Sequence, residues 1–297
     1  MKEYSSFKCL GNEINLPLSN AHVNINKKTH DWKKPEAVNQ DSTWWWMCKG
    51  EKIYIKIPKL GQFIVHSKSH IDAELENGID HTDLQAFFSS NIYSILIHKM
   101  NELPIHAAGL VAPDESGATL FCGHSGVGKS TTSAILYQQG WQILADDICR
   151  VNLIDVGDNY CVPMLNQGYT RIWLMPDACD MIGIEKSRLE FVSSMKHKYY
   201  YGQENFMGLR SRIDRIIVLV RPVDANEIEI AKCSVVSAEV ALRHHISHGF
   251  IQIALHNNSA DKILKILSKE SDIYLALIPH EASPFDVVDV LNTTFIK

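Results

Sequence analysis

The pattern of apolar and polar positions changes near residue 95. Up to that point, short apolar stretches such as residues 52–57 (KIYIKI) and 62–65 alternate with polar turns. Short runs of this kind are typical of small β structure. We therefore predict a small β-rich N-terminal domain over residues 1–95, followed by a second domain over residues 96–297.

The cluster Trp44, Trp45, Trp46 and Met47 lies in one of the strand-like segments. Such an aromatic group could form a ligand-binding patch. Adjacent tryptophans in a strand more often bury their rings in a core or between two domains. We interpret the cluster as part of a core or an interdomain seam.

The second part of the chain alternates strand-like and helix-like segments. Apolar residues recur at helical spacing over residues 83–100, with Asp80 or Thr82 as the candidate N-cap. Downstream, the pattern predicts strands at 105–111, 118–122, 141–145, 171–174, 215–220 and 227–231, and helices at 130–139 and 237–245. This alternation favours an α/β core.

Composition and charge exclude several classes of function. The net charge of −5 provides no basic field for nucleic acid. The first ten residues lack the apolar centre of a signal peptide, and no apolar run approaches the length of a membrane span. Seven cysteines are scattered without a CxxC pair, which we interpret as reduced thiols that hold no zinc. We expect a cytoplasmic protein without a nucleic-acid or membrane partner.

The segment GHSGVGKS at residues 123–130 fits the pattern GxxxxGK[ST] and lies between a predicted strand and a predicted helix. Glycines let backbone N–H groups converge on phosphate oxygens, and the helix N-terminus favours an anion. We predict that the loop binds ATP, with Lys129 at the β and γ phosphates and Ser130 at Mg²⁺. The predicted nucleotide-binding residues are Gly123, His124, Ser125, Gly126, Val127, Gly128, Lys129, Ser130 and Thr131.

Two carboxylates, Asp146 and Asp147, end the first predicted strand after the helix of this loop. Ligands of open α/β sheets bind at the carboxyl ends of strands, so both aspartates are expected beside Lys129. Successive strand residues point to opposite faces, and both side chains reach one site only if the chain leaves the strand at Asp146. We predict Asp146 as the catalytic base and Asp147 as the Mg²⁺ ligand, although the roles could be exchanged.

One histidine belongs to the same candidate site. His106 lies in the strand that precedes the loop strand and could orient Asp146 or contact phosphate. The other histidines, among them His244, His245 and His248, show no ligand spacing beside acidic residues, and we interpret them as surface or packing residues. The sequence implies no metal other than Mg²⁺.

The segments IHAAGL, GHSGVGKST, TTSAILYQQGW and LADD together resemble the HPr serine kinase family over residues 100–150. The resemblance implies an α/β nucleotide-binding core of the HPr kinase and phosphoenolpyruvate carboxykinase type. It also implies ATP-dependent phosphorylation of a protein serine, commonly by an oligomeric enzyme. Carried over to this sequence, it assigns the active site to His106, residues 123–130, Asp146 and Asp147.

The chain lacks the Gly-Leu-Gly signature of the bifunctional kinase/phosphorylases after the strand that carries the two aspartates. Instead FKCLGNEINLPL, RIWLMPDA at 171–178 and the pair Lys198-Tyr199 look like the HPr-kinase-related proteins of lasso-peptide biosynthesis. Those relatives phosphorylate a serine near the C-terminus of a precursor peptide. In this comparison Lys198 or Lys196, and Arg171, are candidates to neutralise charge on the transferring phosphoryl group.

Three functions remain open at this stage. The first is a kinase of a serine in a peptide or protein, and the second is a kinase of a free small molecule such as an amino acid. The third is a nucleotide-binding regulator without catalysis. Retention of Lys129, Ser130, Asp146 and Asp147 together favours an enzyme.

Overall fold

The computed structural model describes residues 5–9, 12–16, 18, 22–25, 45–114, 117–158, 160–193, 196–202, 209–256 and 258–295. Within this part of the chain the protein is mixed α/β, with a β-rich N-terminal part. The predicted tryptophan cluster is described from Trp45 onward, since Trp44 lies outside these residues.

The described residues of the N-terminal part form seven strands: β1 (Ser5–Cys9), β2 (Asn12–Leu16), β3 (His22–Ile25), β4 (Trp45–Lys49), β5 (Lys52–Ile57), β6 (Gly61–Ser67) and β7 (His70–Leu75). The first two form a hairpin, and the others form a five-stranded sheet in the order β3-β7-β6-β5-β4. Alternation places Ile53 and Ile55 of β5 on a fully buried face. The two predicted strands of this region are confirmed.

The helix predicted over residues 83–100 is present but interrupted. It consists of α1 (His81–Phe87), a π-helical turn (Phe88–Ile92) and α2 (Tyr93–Lys99). Asp80 caps the start, because its carboxylate accepts a hydrogen bond from the Thr82 N–H at 2.8 Å. The buried side chains of β5 to β7 and of these helices form one cluster that also includes Ile148 and Tyr169. The boundary predicted after residue 95 would fall inside α2, and it stays a prediction.

Most strands of the second part belong to an eight-stranded sheet. Its members are β8 (Leu103–Val111), β9 (Ala118–Cys122), β10 (Gln142–Ala145), β11 (Ile148–Asp155), β12 (Cys161–Asn166), β16 (Arg210–Val220), β17 (Glu229–Lys232) and β18 (Asp272–Leu277). Three further strands form a small sheet: β13 (Ile172–Leu174), β14 (Glu190–Ser193) and β15 (Lys198–Tyr201). The strands predicted from the sequence are all present, with bounds that differ by up to five residues.

Six helices and one 3₁₀ turn complete the described part of the chain: α3 (Lys129–Gln138), α4 (Pro176–Met181), the 3₁₀ turn Lys186–Arg188, α5 (Val235–Arg243), α6 (Gly249–Ala254), α7 (Ser259–Glu270) and α8 (Pro284–Phe295). Both predicted helices of this part, α3 and α5, are present. Among the described residues, no helix has the length and apolarity needed to cross a bilayer.

The direction of the strands determines which chain ends meet. Both β9 and β10 are antiparallel to β8, on either side of it, so β9 and β10 run in the same direction. Strand β16 is parallel to β9, and β18 is parallel to β16. The carboxyl ends of β9, β10, β16 and β18 therefore lie at one edge of the sheet. The sequence makes no prediction about strand direction, so the antiparallel neighbours of these strands could not be anticipated from it.

Candidate functional site

A cavity of about 920 Å³ opens at the edge where these four strands end. The segments that follow the strands contribute to it: Gly126 and Lys129 after β9, Asp146 and Asp147 after β10, Arg221 after β16, and the loop 280–284 after β18. His106 enters from β8, whose next residue, Ala107, pairs with Cys122 at the end of β9. The topology thus brings together the sequence-predicted loop, both aspartates and the histidine.

The glycine-rich loop connects β9 to α3. Gly123, Gly126 and Gly128 all adopt positive φ angles, of 147°, 84° and 111°. At Gly123 a Cβ atom would lie 2.7 Å from the Leu219 carbonyl oxygen, whereas at Gly126 and Gly128 it would meet no atom of the described residues within 4 Å. The first glycine is therefore required by close packing on β16. At the other two positions there is room for a side chain, and glycine is favoured because their positive φ angles are strained for any other residue.

The amino end of α3 faces the cavity with Lys129, Ser130 and Thr131. Gly128 precedes this ten-residue helix, and no side chain caps it. The first backbone N–H groups of a helix have no intrahelical acceptor, and the helix dipole adds positive potential there. Ser125 and Gly126 also line the cavity, whereas Gly123 and Val127 are buried behind it and His124 is exposed outside it.

Lys129 folds back over the loop. Its Nζ donates hydrogen bonds to the carbonyl oxygens of Gly123 at 2.7 Å and of His124 at 3.2 Å. The side chain is only 9% exposed, and burial lowers its pKa despite the opposing effects of Asp147 and Asp146. A cation anchored by neutral carbonyl groups remains available to an anionic ligand in the same cavity.

Asp147 lies at the centre of a tight turn between β10 and β11. The Ile148 N–H donates to the Asp146 carbonyl oxygen at 2.9 Å, and Asp147 has a φ angle of 67°. A hydrogen bond that spans three residues around a positive φ angle defines the strained form of the γ-turn. Strain of about 1–3 kcal/mol at a non-glycine residue is characteristic of functional sites. This turn is what lets consecutive side chains face one cavity.

Asp146 is the more buried of the two carboxylates, with 6% of its surface exposed. Its Oδ2 accepts a hydrogen bond from the backbone N–H of Trp173 at 3.0 Å, and its own N–H donates to the Tyr169 carbonyl oxygen. The small sheet that contains β13 therefore fixes this carboxylate. Sequence reasoning missed Trp173 because a backbone donor leaves no signature in residue type.

The environment separates the two carboxylates in acidity. Burial and the neighbouring charge of Asp147 raise the pKa of Asp146 to about 6. Burial also acts to raise the pKa of Asp147, but His106, Lys196, Lys198 and a hydrogen bond from Ser90 together lower it below its usual value. A pair of adjacent carboxylates with separated pKa values can divide the work of proton acceptor and permanent anion.

Lys198 and Lys196 line the cavity, and Lys198 Nζ lies 5.9 Å from the centre of the Trp173 ring. Arg171, the third predicted cation, does not line it. Its guanidinium forms an ion pair with Glu190 at 2.8 Å and stacks 4.1 Å from the Tyr200 ring. The structure therefore does not bring Arg171 to the cavity with the two lysines, because these two partners hold its side chain on the small sheet.

Arg221 was not predicted from the sequence. Its guanidinium donates to the carbonyl oxygens of Pro279, His280 and Ala282, and its Nε donates to that of Val127 at 3.3 Å. One side chain therefore ties the glycine-rich loop to the loop after β18. Its position directly after the apolar strand β16 was the available signal, since residues that follow parallel strands collect at the site.

No family model matches the sequence, and no similar protein was found among the curated proteins. Among solved structures, the Hpr(Ser) kinase/phosphatase from Coxiella burnetii is similar at 14% sequence identity, with a TM-score of 0.31. The match covers 64% of this chain and 89% of that one. A likeness this low carries no argument about this chain.

Proposed function

We propose that the protein is an ATP-dependent kinase that transfers the γ-phosphoryl group to a serine hydroxyl of a peptide or protein. The observation that carries the proposal is the convergence of an uncapped, glycine-flanked helix end, Lys129 and two carboxylates of separated acidity on one cavity. Phosphoryl transfer needs these parts: an anion cradle, a cation, a metal-binding carboxylate and a proton acceptor.

The donor set fits a nucleotide triphosphate and its metal. Gly126 and Gly128 leave open space beside backbone N–H groups, and Lys129 provides the cation. The Ser130 hydroxyl and the Asp147 carboxylate are oxygen ligands of the kind that Mg²⁺ prefers. The metal would neutralise phosphate charge when bound. Asp147 suits this role because its low pKa keeps it ionised at neutral pH.

Asp146 suits the role of base. With a pKa of about 6, it is ionised at neutral pH yet basic enough to accept a proton. In the proposed reaction, the acceptor oxygen bonds to the γ-phosphorus while the bond to the β,γ-bridging oxygen breaks. The hydroxyl proton passes to Asp146, and ADP leaves. Lys198 and Lys196 would stabilise charge on the phosphoryl oxygens.

The rim of the cavity favours a peptide acceptor. Met175 and Met181, at the two ends of α4, line the cavity while remaining 44% and 51% exposed. Exposed methionines adapt to varied apolar side chains, and an amino acid enclosed in a polar pocket would not need them. We propose a serine within a flexible peptide segment as the acceptor, with a lasso-peptide precursor as the leading substrate.

A kinase of a free small molecule is the second candidate. The same phosphate site would serve, and the polar lining residues Asp177 and Glu281 could anchor an amino group. A nucleotide-binding regulator would need no residue tuned for proton transfer, so the raised pKa of Asp146 disfavours it.

The test is incubation of the protein with ATP, Mg²⁺ and one acceptor at a time, followed by mass spectrometry. The acceptors are lasso-peptide precursors with and without their C-terminal serine, HPr, and free serine. We expect a gain of one phosphoryl group on the serine-containing peptide alone. Phosphorylation of free serine only would support the second candidate. ATP binding without transfer to any acceptor would contradict both kinase proposals.

A further inference from the structure

Three side chains of the β6–β7 hairpin, far along the chain from the glycine-rich loop, place metal-ligand atoms together. His66 Nε2 lies 2.9 Å from Asp72 Oδ2, and His70 Nε2 lies 3.3 Å from Asp72 Oδ1. All three ligand atoms lie within 4.8 Å of one another. The proposed kinase activity makes no use of them.

The hairpin brings the three residues together by alternation and by one irregularity. Ile71 and Ala73 of β7 face the buried core, so His70 and Asp72 face the opposite side of the sheet. On β6 the register shifts between Val65 and Ser67, which leaves His66 as the extra residue of a β-bulge. His66 lies two residues after Ile64, the cross-strand partner of Asp72, so alternation puts His66 on the same face as Asp72.

The separations match those between ligands of a small metal ion. Zinc bound by imidazole nitrogen and carboxylate oxygen at about 2.0–2.2 Å in a tetrahedron holds its ligands about 3.4 Å apart. The distances lie close to that value, although they run to different oxygens of Asp72: 2.9 Å from His66 to Oδ2, a hydrogen bond without the metal, and 3.3 Å from His70 to Oδ1. Small side-chain rotations would suffice to seat an ion.

Burial also favours a cation here. Asp72 is 3% exposed, and a buried carboxylate is costly unless a cation or several hydrogen bonds compensate its charge. The side chains of His66 and His70 remain 24% and 43% exposed, which gives an ion a path from solvent. Two imidazoles and one carboxylate suit Zn²⁺ and similar transition metals, whereas Mg²⁺ prefers oxygen ligands.

We propose that His66, His70 and Asp72 bind one divalent transition-metal ion of the zinc class, with a fourth position open to solvent. The ion would clamp the two ends of the β6–β7 turn. This proposal departs from the expectation that Mg²⁺ is the only metal, because the spacing His-x₃-His-x-Asp is too short to stand out as a metal motif in the sequence.

The experiment is equilibrium dialysis of the tag-free, chelator-treated protein against ZnCl₂ in excess Mg²⁺, followed by metal analysis. We expect one zinc per chain in the parent, at least tenfold weaker binding in His66→Ala and in His70→Gln, and no stoichiometric zinc in the double variant. His244→Ala, which removes an exposed histidine elsewhere, and Asp147→Asn should bind zinc like the parent.

Substitution of Co²⁺ for Zn²⁺ gives a second readout, since cobalt coordinated by imidazole and carboxylate absorbs visible light. The absorption should appear in the parent and vanish in His70→Gln, whose partly exposed position makes folding of this variant secure; circular dichroism would verify it. Zinc content or a cobalt spectrum that is the same in the parent and in His70→Gln would overturn the proposal, as would a parent that binds no zinc. These outcomes do not depend on kinase activity.

Discussion

The imidazole Nδ1 of His106 lies 3.0 Å from the backbone carbonyl oxygen of Asp147 and 3.5 Å from its carboxylate Oδ1. A carbonyl oxygen can only accept, so this bond requires the proton on Nδ1. Burial lowers the pKa of His106, which keeps the imidazole neutral at neutral pH. We infer that His106 positions the strained turn through Asp147, the neighbour of the Asp146 that it was expected to orient. The predicted contact with phosphate stays a prediction.

Replacement of His106 by Ala should lower turnover about tenfold, equivalent to ~1.4 kcal/mol, because the hydrogen bond that holds the Asp147 turn is lost. His106→Gln should recover part of the activity, since an amide can donate to the same carbonyl oxygen. Removing the imidazole should also raise the pKa of Asp147, seen as loss of Mg²⁺-dependent ATP binding at a higher pH than in the parent. His244→Ala is the matched control.

Lys129→Ala should weaken ATP binding and reduce phosphoryl transfer by roughly 10²–10³-fold, because the cation at the phosphate cradle is lost. Folding should survive, since burial of this ammonium group is unfavourable for stability. Calorimetric titration with ATP and a single-turnover assay would measure both effects, with the exposed Lys265→Ala as control. Parent-like binding and turnover would exclude the loop as the nucleotide site.

Asp146→Asn should block transfer with ATP affinity nearly unchanged, because the amide keeps the acceptor for the Trp173 N–H but cannot take up a proton. The assay is single-turnover phosphorylation beside ATP titration. Full turnover in this variant would remove Asp146 as the base.

The same substitution should change stability in a pH-dependent way. A carboxyl group with a pKa of about 6 when folded and about 4 when unfolded binds more protons in the folded state between these values. The contribution of Asp146 to stability should therefore fall as pH rises from about 4 to 6, by an amount on the order of 3 kcal/mol. Asp146→Asn lacks this contribution, so its free energy of unfolding in urea, relative to that of the parent, should be higher at pH 8 than at pH 5.

Asp147→Asn should weaken ATP binding in the presence of Mg²⁺ and leave metal-free binding unchanged. The physical reason is loss of the ionised oxygen ligand, and removal of Mg²⁺ by a chelator should abolish activity in the parent. ATP titrations with and without Mg²⁺ compare the two conditions. An equal loss in both would assign Asp147 to the fold of the turn and not to the metal.

Met181→Ser should raise KM for a peptide substrate several-fold with kcat and KM for ATP unchanged, because it removes apolar contact at the rim only. Val236→Ser, on the exposed face of α5, is the control for general surface effects. An unchanged KM for the peptide would argue that the acceptor does not cross α4.

The parts of the candidate site that could be predicted from the sequence are those defined by residue type and by order along the chain. The loop Gly123–Ser130 and the pair Asp146-Asp147 are local motifs, and the strand that precedes each one determines the edge at which they meet. Contacts made by backbone groups or by residues distant in sequence, such as Trp173 and Arg221, leave no comparable pattern. Arg171 illustrates the converse limit, because the sequence does not reveal that its guanidinium pairs with Glu190 and lies outside the cavity.

The π-helical turn at residues 88–92 carries one residue more than an α-helical turn would need, and Ser90 within it hydrogen bonds Asp147. A π turn takes up one extra residue with little change in the direction of the flanking turns, so deleting that residue would restore regular α-helix while α1 and α2 keep nearly their present orientation. The deletion would act on Ser90, which reaches Asp147 from the widened turn. In an alignment of distant homologues, a one-residue gap at this position would therefore mark chains that keep the fold and lose the serine contact.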